Sequence, residues 1–157
     1  MYLALITLNL CLVYTVLYFL YPFFFENKVV KMRYQSLFSI GLIFTLSITS
    51  YLISFTFQDP EFSNRLLHAF GGGFMAFLVS FLAAKDSKLS VGKFQFFIFS
   101  VLMVSTLGVA NELLEFILQN YVGMQFSTSI NDTWLDLVSN TIGIAAASII
   151  LTPFIKK

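Results

Sequence analysis

The chain has 157 residues, of which 58% are hydrophobic, 11% are charged and 20 are Phe. Soluble domains carry about 25% charged residues, so this composition excludes an ordinary water-soluble domain and leaves an integral membrane protein with little mass outside the bilayer. The net charge of +1 comes with dispersed basic residues that give no footprint for nucleic acid, and the single cysteine, Cys11, excludes an intrachain disulfide.

Apolar runs predict helices near residues 3–25, 36–57, 64–84, 94–120 and 133–155. Each is long enough for a hydrocarbon core that needs about 20 helical residues. The first run lacks a basic leader and a small-residue cleavage site, and basic residues follow it, so it reads as a retained helix and not a signal peptide. Cys11, inside that run, reads as a small buried hydrophobe. The connections are short, and no repeat or low-complexity tract interrupts the chain. The expectation is an all-α, multi-pass bundle of about five helices in the cell membrane, forming a single transmembrane domain over 1–157. Lys28, Lys31 and Arg33 lie in the first connection, Lys85, Lys88 and Lys93 in the third, and Lys156 and Lys157 in the tail. Only Arg65 lies at the edge of the second, and the fourth has no Lys or Arg. The positive-inside rule then places the amino terminus outside and the carboxyl terminus in the cytoplasm.

Against this background the polar residues stand out. An ionisable side chain at mid-bilayer costs roughly 2.5–3.5 kcal/mol on insertion scales. Yet His68, Glu112, Glu115, Asp132 and Asp136, together with Asn140, lie in or beside the apolar runs. With the orientation above, the ionisable ones all fall toward the outer ends of their helices. Gly108, Glu112, Glu115 and Gln119 share one helical stripe, and Asp132, Asp136, Asn140, Gly143 and Ala147 share another. On the third run His68 shares its face with Gly71, Gly72 and Met75. Small residues beneath polar ones let helices approach closely in lipid, so the three stripes are expected to face one another around an outward-facing acidic pocket.

Each feature also has a structural reading. The run Gly71-Gly72-Gly73 lies inside an apolar segment, where close helix packing or local unwinding is favoured over a phosphate-cradling loop. Asp132 suits the N-cap of the fifth helix. Asn140 suits a bond across helices more than a substrate contact, and Arg65 is either a rim charge or a counter-ion and phosphate contact. A cluster of carboxylates at low dielectric cannot stay unneutralised. Either a divalent cation takes Glu112, Glu115, Asp136 and His68 as ligands, or some carboxyls hold protons. The first outcome supports metal-assisted chemistry on a lipid or lipid-linked glycan, with His68, Glu112, Glu115, Asp132 and Asp136 as catalytic candidates and Arg65 and Asn140 on the substrate. The second supports a small proton- or cation-coupled transporter. A third reading makes the stripes helix glue in a subunit of a larger membrane complex.

The stretch NELLEFILQNYVGMQFSTSINDTWLDLVSNTIG, preceded by NRLLHAFGGG, resembles the VanZ-like superfamily of small membrane proteins, in particular its YjdF-like branch. The likeness covers residues 64–157 and carries His68, Glu112, Glu115, Asp132, Asp136, Asn140 and Gly143 onto the family's polar positions. Glu115 stands where the glycopeptide-resistance members more often have Gln, and the loop 123–131 lacks an Arg common there. The resemblance implies a shared membrane fold and a shared polar site.

Overall fold

The computed structural model describes residues 2–54, 56–124 and 130–155, with side chains described from residue 9 onward except at 54 and 130. Its helices are α1 (Tyr2–Glu26), α2 (Tyr34–Ser54), α3 (Pro60–Asp86), α4 (Lys93–Val122) and α5 (Ile130–Leu151), the last running into a 3₁₀ turn at Thr152–Phe154. No strand occurs among the described residues. All five helices are long and apolar enough to cross a membrane, so the chain is a multi-pass helical membrane protein.

The third helix is the hub. From Met75 to Ala84 its side chains are buried nearly all round, which is why that run shows no amphipathic face. Tyr14, Leu17, Tyr18 and Tyr21 of α1 recur at helical spacing and bury against it. Asp136, Ser139, Asn140, Gly143, Ile144, Ala147 and Ser148 form the buried stripe of α5. At one end of the bundle, rings interlock: Tyr21 and Phe25 of α1 lie 5.6 and 4.3 Å from Phe99 of α4, and Phe77 of α3 lies 5.6 Å from Phe96.

Two helix starts differ from the hydropathy reading, and both matter for the site. Asp59 caps α3, accepting from the backbone N–H groups of Glu61 at 3.0 Å and Phe62 at 3.3 Å, with Pro60 in the first turn. The helix therefore begins a full turn before residue 64, and Asn64 and Arg65 lie inside it, aimed at α5. The fifth helix begins at Ile130, so Asp132 is not its N-cap but a first-turn residue that reaches across to Arg65 of α3.

Over Leu67–Phe74, α3 widens into a π-helix, a form that recurs at functional sites. The Gly71-Gly72-Gly73 run is thus a widened helix in close contact with a neighbour, neither a loop nor an unwound break. The buried hydroxyl of Tyr14 donates to the Gly71 carbonyl. A Cβ on Gly73 would overlap the Asn140 carbonyl, and one on Gly143 would overlap the Ala69 carbonyl. Backbone meets backbone where α3 crosses α5.

Candidate functional site

The early start of α3 builds the first part of the site. Arg65 lies between two carboxylates of α5, with Nη2 2.5 Å from Asp132 Oδ1 and Nη1 paired to Asp136 Oδ1. Nη1 also donates to the Asp132 carbonyl at 3.3 Å, and Asn64 donates to Asp136 Oδ1 at 2.9 Å. Asp136 is only 2% exposed, so this pairing compensates a charge that could not otherwise be held in the bundle. Arg65 is therefore a counter-ion.

One turn further along α3, His68 enters between α4 and α5. Its Nε2 is 3.6 Å from Asp136 Oδ1, its Nδ1 is 3.8 Å from Glu112 Oε1, and the Asn140 amide lies 3.4 Å from Nδ1. Glu115 accepts from Asn111 of its own helix at 2.7 Å. His68, Glu112 and Glu115 each offer one ligand atom, and these atoms lie within 4.8 Å of one another. Two ligands of one ion at 2.0–2.2 Å can be at most about 4.4 Å apart. The observed spacing is close to that limit, so the three groups could share one ion. Oε1 of Glu112 is buried and has no hydrogen-bond partner among the described residues, an unmet acceptor facing the imidazole.

The carboxylates expected to repel one another are thus divided by Arg65 into two groups. Asp132 and Asp136 belong to the arginine, and Glu112 and Glu115 face the histidine. Asp136 lies outside the set that could share an ion. It approaches the far ring nitrogen, where carboxylates orient metal-binding histidines.

A cavity of about 160 Å³ adjoins this cluster between α1, α3, α4 and α5. Its polar lining is His68, Asn111, Glu115 and Asn140, with Tyr14 and glycines of α3 and α4, and its apolar lining is Leu10, Val13, Leu67, Ala76, Val104 and Leu107. Val13 and Asn111 are also exposed, so the rim opens on the α1–α4 side. Gly108 and Gly72 make room for Asn140: a Cβ at Gly108 would come within 3.3 Å of the amide nitrogen.

The family model described as predicted membrane protein (DUF2238) matches residues 3–157. The chain belongs to this family. No curated protein and no solved structure matches it. The match includes α1 and α2, beyond the stretch that carries the VanZ-like resemblance. Sequence periodicity located the polar stripes of this DUF2238 protein, but it missed Asn64, Asn111 and Tyr14. The Asp59-Pro60 capping signal was the available clue that the helix starts a turn before Asn64.

Proposed function

We propose that this protein binds or acts on a lipid or lipid-linked substrate of the cell envelope at the polar pocket, with a divalent cation held by His68, Glu112 and Glu115. One observation carries the reading: the three groups lie together, and two of them, His68 and Glu115, line a cavity whose lining is otherwise mostly apolar. A mixed nitrogen and oxygen donor set suits first-row divalent ions such as Mn²⁺ or Zn²⁺. Such an ion would neutralise the two glutamates and polarise a phosphoryl or carbonyl oxygen. The cavity takes roughly five waters' volume, enough for the part of a substrate nearest its head, with the chain leaving through the α1–α4 side into lipid. Asp136 would orient His68, and Arg65 would hold Asp136. The VanZ-like resemblance agrees with a shared site at these positions.

The transporter reading needs a polar route to the opposite end of the bundle. There the described residues pack Tyr21, Phe25, Phe77, Phe96 and Phe99 together, and the Tyr21 hydroxyl is held by Ser100 at 2.7 Å. That packing favours a site over a pathway.

The test is thermal. Ligand that binds only the folded state stabilises it by about 2.7 kcal/mol at a hundred times its Kd. Detergent-purified protein should melt higher in Mn²⁺ or Zn²⁺ than in chelator, and Glu112→Gln with Glu115→Gln should abolish the difference. Equal melting temperatures in cation and chelator would end the metal reading. Persistence of the difference in the double variant would move the ion elsewhere.

The polar pocket is proposed to face outward, following the distribution of Lys and Arg. Cysteine placed at Ser127 should react with an impermeant thiol reagent from outside, and cysteine at Ser87 only after the membrane is opened. Ser127 lies outside the described residues. The reverse labelling pattern would invert the topology and place the pocket in the cytoplasmic leaflet.

A further inference from the structure

At the end of the bundle opposite His68, the connection after α1 and the connection after α3 are tied together. Lys28 Nζ donates to the Lys88 carbonyl at 3.2 Å, and the Ser90 N–H donates to Glu26 Oε1 at 2.9 Å. Between them lies a depression of about 360 Å³ lined by Lys28, Lys31, Arg33, Asp86, Ser87 and Lys88. Its two nearby acids are already engaged. Glu26 pairs with Lys28, and Asp86 Oδ2 accepts the Tyr18 hydroxyl at 2.5 Å. The side chains of Lys31, Arg33 and Lys88 make no ion pair among the described residues. Four cations thus surround one hollow with a single lining carboxylate, Asp86, and three of them make no ion pair among the described residues.

The surroundings say what kind of anion this is. Val29, Met32 and Tyr34 alternate with the cations and are 66%, 60% and 86% exposed, and Leu37 and Phe38 just beyond them are 56% and 65% exposed. In a membrane protein such side chains belong in lipid, while Lys and Arg stems reach back to the headgroups. The hollow therefore sits at the level of lipid phosphates. We propose that it binds the phosphate of an anionic phospholipid, a site separate from the polar pocket and independent of the function proposed for it. The Asp86 carboxylate at its edge favours a singly charged phosphodiester over a doubly charged phosphate, because it adds repulsion for each extra negative charge.

The experiment compares dioleoyl phosphatidylglycerol with dioleoyl phosphatidylcholine, each added to the purified protein in neutral detergent and detected as retained lipid by native mass spectrometry. Preferential retention of phosphatidylglycerol is expected. Each cation near a charged lipid surface contributes about a fivefold factor, so Lys31→Gln, Arg33→Gln and Lys88→Gln together should weaken that preference on the order of a hundredfold. These side chains are exposed, and the triple variant should melt like the wild type without lipid. Lys85→Gln with Lys93→Gln lowers charge at the same interface outside the hollow and should keep the preference. Equal retention of both lipids, an unaffected triple variant, or an equal loss in the control variant would overturn the proposal. Displacement of phosphatidylglycerol by millimolar inorganic phosphate would instead assign the hollow to free phosphate and overturn the lipid assignment.

Discussion

Arg65→Met should destabilise the folded protein by about 3 kcal/mol, the lower end of the range for breaking a buried pair by removing one partner. The loss follows from what remains. Asp132 and Asp136 would face each other across the vacated guanidinium position, with the Asn64 amide and the His68 ring beside Asp136 and no cation in the arginine's place. Side-chain exposures of 12% for Asp132 and 2% for Asp136 leave little water to take over. The larger values in the range do not apply because Arg65 itself is 19% exposed. Thermal or denaturant unfolding in detergent measures the effect, and a companion variant tests its cause. Arg65→Met combined with Asp132→Asn and Asp136→Asn leaves no uncompensated charge and should recover most of the lost stability. If the single variant unfolds like the wild type, the arginine is not the counter-ion of α5.

Gly143→Ala should be at least as damaging, with a loss of about 3 kcal/mol or more, at the upper end of what overpacking costs. The added methyl would fall on the Ala69 carbonyl, and backbone cannot rotate away as a side-chain tip can. The helices must separate, and π-segment packing against the buried stripe of α5 is lost along with the contact. Separation also draws Asn140 away from His68, so cation-dependent stabilisation should fall in whatever folded fraction survives. Gly73→Ala should behave alike, because its methyl meets the Asn140 carbonyl. Gly41→Ala is the control: its added Cβ meets nothing within 4 Å, and a helical Gly→Ala change there should be neutral or stabilising by up to about 1 kcal/mol. Yield of monodisperse protein and its melting temperature give the comparison. Equal behaviour of Gly143→Ala and Gly41→Ala would mean that α3 and α5 do not pack this closely.

Both predictions concern residues whose part in the fold depends on a second helix, and this separates what could be read in the chain from what could not. Residues 94–120 could be read as a span because a lipid environment admits few backbone solutions, and an apolar run of sufficient length must satisfy its own hydrogen bonds as a helix. The stripe through Asp136, Asn140 and Gly143 was legible for a similar reason. A helix repeats every 3.6 residues, so polar and small residues at that spacing share a face whatever that face meets. Arg65 shows where such reasoning stops. Hydropathy set it at the start of the third run and left it a rim charge or a counter-ion, whereas the Asp59 cap and Pro60 extend α3 a turn before it and the crossing with α5 sets it between two carboxylates. Asp132 and Asp136 lie 67 and 71 positions away in the chain, and no local period encodes that separation. The division of four acids into an arginine-bound pair and a histidine-facing pair likewise depends on the rotation of α4 and α5 about their axes. That rotation is set by how closely Gly72, Gly73, Gly108 and Gly143 let the backbones and Asn140 approach. Composition and periodicity determined the membrane class, the spans and the polar faces, because lipid and helix geometry act on each segment alone. The tertiary structure decided which charges neutralise one another and which are left to face a ligand, because electrostatic pairing depends on distances that exist only once the helices have packed.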